Sequence, residues 1–258
     1  MRRRWRLWLH YKTEYEVNPM EMNINLSPNS DLHQSIVKVP NLVQVPEVWI
    51  NQAKQFQIAM MRYTCAIREV KTKLEVLNDE LSVKNQRNPI EMIKSRVKRP
   101  MSIVEKLQRR GLEVSLESME KNLDDVAGIR IICSFVDDIY EVADMLMRQD
   151  DVTVIAIKDY IRQPKPNGYR SYHMIIDVPV FFSDSKKPIR VEVQIRTIAM
   201  DFWASLDHQL KYKKSVADED GEISEELKHC AQVIAETDEK MLAIRRRIEA
   251  QGGAVYKD

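Results

Sequence analysis

The 258-residue sequence predicts an α+β fold, a mixed β-sheet with long helices on its flanks. Three observations predict it. Apolar residues recur at three- and four-residue steps from about 47 to 84 and again over 224–250, the spacing of a helix with one buried stripe. Four short runs between them, 127–135, 152–159, 172–180 and 189–196, are rich in Val and Ile and have strand length. No internal repeat or low-complexity tract breaks this pattern.

Residues 1–50 read as an irregular extension. The start, MRRRWRLWLHYK, is basic, but its apolar patch (Leu7, Trp8, Leu9) is too short for a signal peptide, and Met20 or Met22 are alternative starts. Pro19, Pro28, Pro40 and Pro46 then punctuate the chain. The first helix carries Phe56, Met60, Tyr63, Ile67, Val70, Leu74, Leu77 and Leu81 along one side. Asn88-Pro89 is expected to open a short second helix. After the strand at 127–135, Asp137 is expected to cap a helix reaching about Met147. A helix is expected over 198–213, then an acidic loop around 218–222. The last helix has Leu227, Ala231, Ile234, Met241, Ile244 and Ile248 on one side. The domain reading is therefore an extension (1–50), a catalytic domain with its leading helix (51–215) and a C-terminal, oligomerising helix (216–258).

Charge narrows the function. Forty Lys and Arg nearly balance 39 Asp and Glu, a net charge of +1, which argues against bulk binding of nucleic acid. Residues 94–110 are nonetheless a basic strip whose one acid is Glu105. A local strip in a near-neutral chain suits a small anionic ligand. Cys65, Cys133 and Cys230 have no metal-ligand spacing, so a reducing, cytoplasmic setting is expected. No stretch approaches the ~20 apolar residues of a spanning helix, and no membrane role is expected.

Four segments carry candidate chemistry. The run IRVEVQIR alternates: Ile189, Val191, Val193 and Ile195 face one way, and Arg190, Glu192, Gln194 and Arg196 the other. Taken alone, that polar face also fits a solvated surface with cross-strand ion pairs. Asp125 precedes the strand bearing Arg130, a pairing that can hold Mg²⁺ beside a phosphate or serve as a turn and a salt bridge. The loop PKPNGYRSYH packs Lys165, Asn167, Gly168, Tyr169, Arg170, Ser171 and His173 together. Its Asn-Gly supplies a tight turn, and an exposed tyrosine beside it can stack on a nucleobase. In the basic strip, Arg96, Lys98, Ser102, Lys106 and Arg109 converge if the chain turns at Pro100 and Ser102 caps a helix in a box with Glu105. No Gly-x-x-x-x-Gly-Lys loop exists, and six glycines in all leave no glycine-rich cradle. Side chains must hold any phosphates.

The segments SRVKRPMSIVEKL, DDVAGIRIICSFVDDIY, KDYIRQPKPNGYRSYH and VEVQIRTIAMDFWASLDHQLKYK together resemble the small alarmone synthetases, the stand-alone synthetase branch of the RelA/SpoT family. The likeness runs from about 55 to 250 and keeps the order and spacing of each block. It implies a nucleotidyltransferase-like fold and pyrophosphate transfer from ATP to the 3′-hydroxyl of GDP or GTP. By resemblance, Arg96 and Arg130 sandwich adenine, while Lys98, Ser102, Lys106 and Arg109 meet the ATP phosphates. Asp125 matches the Mg²⁺ ligand, and Glu192 the catalytic carboxylate, as general base or second metal ligand. Tyr169 matches the residue stacking on guanine. Lys165, Asn167, Ser171, His173 and Gln194 match the rest of the guanine-nucleotide pocket. Relatives with Asn are expected at the position of Asp201, so the resemblance assigns it no role. The family's hydrolase segment is not matched and no His-Asp dipeptide occurs, which predicts synthesis without hydrolysis. The resemblance further implies a homotetramer built through helices such as 53–84 and 224–250. Two rival classes are disfavoured. A nucleotidyl-transferring enzyme would pair its acids as Asp-x-Asp on one strand, whereas these acids lie on separate strands. A silent binding module would not need the catalytic set, although single-stranded RNA could also bind the basic strip.

Overall fold

The computed structural model describes residues 47–85, 87–212 and 221–251. Their order is α1 (Glu47–Asn85), β1 (Ile90–Val97), α2 (Pro100–Arg109), α3 (Leu116–Asn122), β2 (Ala127–Cys133) and α4 (Val136–Met147), then β3 (Thr153–Asp159), β4 (Tyr172–Phe181), β5 (Lys186–Thr197), α5 (Ile198–Tyr212) and α6 (Glu222–Ala250). The strands form one mixed sheet in the order β1-β2-β5-β4-β3. β2 and β5 run parallel, and the other neighbours are antiparallel. The expected extension falls outside the described residues up to 46, as does most of the expected acidic loop.

The predicted α+β architecture stands, with one strand more than the sequence reading found. Residues 90–97 form β1, not the helix expected after Asn88-Pro89. The reason is tertiary. β2 offers unpaired backbone groups along its edge, and β1 satisfies them from Ile90↔Cys133 to Val97↔Ala127. As an exposed edge, β1 carries Glu91, Lys94 and Arg96, so its sequence shows little of the apolar alternation that marks buried strands.

One face of the sheet is apolar. Ile129 and Ile131 of β2, Val191, Val193 and Ile195 of β5, and Met174, Ile176 and Val178 of β4 are all nearly or fully buried. Tyr63, Ile67, Val70 and Leu74 of α1 join the same core, as do Ile139, Val142 and Leu146 of α4. Each such side chain contributes about 1.5–3 kcal/mol by burial. The opposite face is polar and positions the site.

Two local expectations are corrected, at α2 and α4. Ser102 does not cap α2: the helix starts at Pro100 after Arg99, which places Ser102 inside the first turn. Proline there pre-sets the helical φ and lacks an N–H that would need a cap. Asp137 does not cap α4: the helix starts at Val136, which places Asp137 inside its first turn, and Asp138 accepts from the Phe135 N–H at 3.1 Å. The apolar stripe of α6 is buried at Ala231 and half-buried at Leu227 and Ile234, whereas Met241, Ile244 and Ile248 are exposed. In that half Arg245 is the buried residue. It pairs with Asp137 and Asp138 at the start of α4 and lies 4.6 Å from the Phe135 ring centroid. Those two acids draw a cation inward, while Arg87 also binds Asp138.

Candidate active site

Strand register builds the site. Lys94, Arg130, Gln194, His173 and Lys158 stand directly opposite one another across β1, β2, β5, β4 and β3. Two residues along, Arg96, Gly128 and Glu192 form a second row. Residues two apart share a face, so both rows belong to the polar side. A cleft of about 180 Å³ opens over them, lined by Lys94, Ser95 and Arg96 of β1, Gly128, Ile129 and Arg130 of β2, Glu192 and Gln194 of β5, and Asp125. Gly128 lies between Arg96 and Glu192 with no side chain, which leaves the floor of the cleft open.

Asp125 sits at the end of the cleft where the backbone N–H of Lys98 bonds the Val126 carbonyl at 2.8 Å. Its Oδ2 takes Lys98 Nζ at 2.9 Å and Lys106 Nζ at 2.7 Å. Burial pushes the Asp125 carboxyl up, but these two ammonium groups outweigh it and hold the pKa below the ordinary value. Its Oδ1 is buried without a hydrogen-bond partner. Lys106 reaches this point from α2, where Ser102, Lys106 and Arg109 share one side by their i, i+4, i+7 spacing. Ser102 is half-buried and Arg109 exposed in the last turn. The structure thus gathers Lys98 and Lys106 at Asp125, and Arg96 and Arg130 in the cleft.

Glu192 is gripped from β4 and from its own strand. Gln194 Nε2 donates to Glu192 Oε2 at 2.8 Å, and His173 Nδ1 lies 3.6 Å from Oε1. Burial raises the Glu192 pKa, but His173 and Gln194 together bring it below the ordinary value, so the carboxylate is ionised at neutral pH. Burial lowers the His173 pKa more than Glu192 raises it, which keeps the imidazole neutral there.

The loop 163–171 forms the third side. Gly168 has φ +86°, and the turn closes with Gly168 N–H donating to Lys165 O at 2.8 Å and Lys165 N–H to Tyr169 O at 3.1 Å. Asn167 Oδ1 accepts from the Tyr169 N–H at 3.3 Å, so Asn167 shapes the turn. Tyr169 is half-buried, not exposed as the sequence suggested. Its hydroxyl bonds Arg196 at 2.6 Å and His173 Nε2 at 2.9 Å. Lys165 Nζ and the Arg196 guanidinium lie 4.8 and 5.1 Å from its ring centroid, so cations already occupy the vicinity of the ring. Burial lowers the Lys165 pKa, with Glu192 opposing. Ser171 is fully buried; its hydroxyl donates to Ile195 O at 3.2 Å and accepts from Arg196 Nε at 3.4 Å. It therefore supports the site from within.

A cation-lined cleft, two ionised carboxylates and a tyrosine loop lie together on the polar face of the sheet. The region found in RelA / SpoT proteins matches residues 95–217, which hold β1 from Ser95 onward and all the residues just described except Lys94. The GTP pyrophosphokinase YwaC of Bacillus subtilis is 41% identical over 215 residues, 83% of this chain and 99% of that enzyme. The chain belongs to the RelA/SpoT family. GTP pyrophosphokinase YjbM of B. subtilis is 37% identical, over 76% of this chain and 91% of its own length. The crystal structure of small alarmone synthetase 1 from B. subtilis bound to its product pppGpp superposes with a TM-score of 0.68, at 36% identity, over 76% of this chain and 99% of that one. Among the RelA/SpoT proteins this chain is thus a small alarmone synthetase.

Sequence reasoning about this RelA/SpoT chain missed Lys94 and Arg196 as site residues and left Asp201 without a role. Lys94 was hidden by reading β1 as a helix; on a strand, its place two residues before Arg96 puts both on one face. Alternation placed Arg196 on the polar face beside Glu192, but its pairing with Asp201 gave no signal, because it depends on the first turn of α5 folding back over the end of β5. There Asp201 Oδ1 accepts from Arg196 at 3.1 Å and Arg130 at 3.2 Å. Lys94 Nζ lies 3.5 Å from Oδ2. Burial and the neighbouring Arg196 lower the Arg130 pKa, while Asp201 raises it.

Proposed function

We propose that this chain is a (p)ppGpp synthetase that transfers the β,γ-pyrophosphate of ATP to the 3′-hydroxyl of GDP or GTP and releases AMP. The observation that carries it is the placement of Asp125 and Glu192 on one cleft, between the cationic β1–α2 side and the Tyr169 loop. Arg96 and Arg130 offer planar cations for adenine, and Lys98 and Lys106 offer ammonium groups for phosphates. Tyr169 offers a ring for guanine once Lys165 shifts toward phosphate.

A ribose hydroxyl is a poor nucleophile at neutral pH, and Glu192, held ionised, orients it and takes its proton as the oxygen attacks the β-phosphorus and the bond from that phosphorus to the AMP oxygen breaks. Attack there makes AMP the leaving group. Holding two nucleotides in line supplies much of the rate. Mg²⁺ fits the donor set: Asp125 Oδ1, a buried oxygen without a protein donor, would hold the ion, and Glu192 is a second carboxylate. Bound Mg²⁺ would offset negative charge on the phosphates during transfer.

Synthesis without hydrolysis and a homotetramer complete the proposal. Exposed Met61, Val76 and Val83 on α1 and Val233, Met241, Ile244 and Ile248 on α6 support helix-mediated assembly. No described helix is long and apolar enough to cross a membrane, and the three cysteines are free thiols, in keeping with a reducing cytoplasm. The test is incubation with ATP, Mg²⁺ and GDP, followed by thin-layer separation of labelled products. AMP and a tetraphosphorylated guanosine are expected. AMP without 3′-labelled guanosine would overturn the reading.

A further inference from the structure

Arg196 is the most heavily engaged side chain near the site, yet no substrate role falls to it. It is 4% exposed, and its guanidinium meets four acceptors. Nε donates to Ser171 Oγ at 3.4 Å and Nη1 to Asp201 Oδ1 at 3.1 Å. Nη2 donates to Tyr169 OH at 2.6 Å and Gln194 Oε1 at 3.0 Å.

The last two bonds have consequences for Glu192, because a guanidinium can only donate. Gln194 must turn its oxygen to Arg196, which leaves its NH₂ to face Glu192 Oε2, 2.8 Å away. A carboxylate accepts, so both neighbours of Gln194 demand the same orientation of its amide. Tyr169 must likewise accept from Arg196, which leaves its own O–H for His173 Nε2 at 2.9 Å. In the tautomer that accepts this O–H at Nε2, the imidazole proton is on Nδ1, on the side of Glu192 Oε1 at 3.6 Å. Two relays start at one guanidinium: one ends in a hydrogen bond on Glu192 Oε2, and the other brings the imidazole Nδ1 to 3.6 Å from Oε1. Ser171 and Asp201 fix the guanidinium plane, so the relays have a rigid origin.

We propose that Arg196 is a positioning residue for the transfer step: it orients Gln194, which donates to the Glu192 carboxylate, and, through Tyr169, the His173 ring that stands beside it. This rests on the synthetase reading of the site. Lysine cannot replace it, because a single ammonium group lacks the planar fork that serves four acceptors.

The experiment compares the full chain with Arg196→Lys, Tyr169→Phe and the double variant, with kcat and both KM values measured from AMP and guanosine-tetraphosphate formation below each variant's melting midpoint. Arg196→Lys is expected to lower kcat about 10–100-fold, as loss of an outer partner of a reactive ligand does, with the KM for ATP little changed. Tyr169→Phe keeps the ring and cuts one relay, so kcat falls less. The double variant should be no slower than Arg196→Lys alone, because the tyrosine relay begins at Arg196. Effects that multiply in the double variant, or an unchanged kcat in Tyr169→Phe, would overturn the proposal. If Arg196→Lys does not fold, Tyr169→Phe decides: a fall in kcat at constant guanine-nucleotide KM supports it. A wild-type enzyme that makes no tetraphosphate would instead overturn the synthetase reading.

Discussion

Replacing Asp125 by Asn removes the charge that Lys98 and Lys106 share. Two charge-assisted bonds, at 2.9 and 2.7 Å, are lost or weakened. Bonds to charged groups are worth about 1.5–3 kcal/mol each. The three side chains keep 16–19% of their exposure, so water screens part of this, and the freed ammonium groups can turn into the open cleft. The expected net loss is about 2–3 kcal/mol, below the 3–5 kcal/mol typical of breaking a fully buried pair. With a urea slope of about 2–3 kcal/mol per molar, the unfolding midpoint should fall by roughly 1 M. The pH dependence has a definite sign. The folded pKa of Asp125 lies below its unfolded value of about 3.9. Its contribution is therefore complete well above that pH and is lost as pH falls through the lower folded value. Urea titrations of wild type and Asp125→Asn should differ fully at pH 7 and converge on acidification below about pH 4. Equal midpoints at pH 7, or a gap that widens with acid, would refute the view that Asp125 holds the two lysines. ATP binding measured without metal should be undiminished in Asp125→Asn, since both lysines are then free for phosphate.

Other perturbations test the remaining parts of the site. Glu192→Gln should abolish turnover while calorimetric ATP affinity stays close to wild type; full activity would remove Glu192 from the chemistry. Tyr169→Ala should weaken guanine-nucleotide binding by about 1–3 kcal/mol, the scale of base–aromatic stacking, and unchanged affinity would exclude the ring from that pocket. Gly168→Ala should destabilise by about 1–3 kcal/mol, because φ is +86° and a Cβ would stand 2.6 Å from Ala231 Cβ. A thermal midpoint equal to wild type would show that the loop and α6 are not packed that closely.

The candidate site was legible where chemistry and covalent order coincide. Glu192 and Gln194 on one face of a strand, Asp125 just before another and the Asn167-Gly168 turn can each be read from neighbours in the chain. The basic strip was visible as charge, but its secondary structure was not. Ile90–Val97 is an edge strand with one solvated side, and its pairing partners are 30–43 residues away. Ser102 looked like a cap because Glu105 follows at the right spacing, whereas Pro100 starts the helix two residues earlier. Tyr169 looked exposed because a loop tip beside glycine usually is. Arg196 and His173, brought from β5 and β4, bury half of it.

The sequence by itself determined which residue types were available and on which face of each element they lie, since side-chain periodicity is a local property of the backbone. It therefore determined the α+β class, the apolar core and the polar character of β5. Tertiary structure decided what those polar groups touch. The parallel pairing of β2 with β5 sets Gly128 opposite Glu192 and Arg130 opposite Gln194, and α5 brings Asp201 to Arg196. Such contacts join residues far apart in the chain, and their energies depend on burial and distance, which no local pattern encodes. That is why a carboxylate visible in the sequence becomes, only in the fold, one held ionised by donors that a single buried arginine orients.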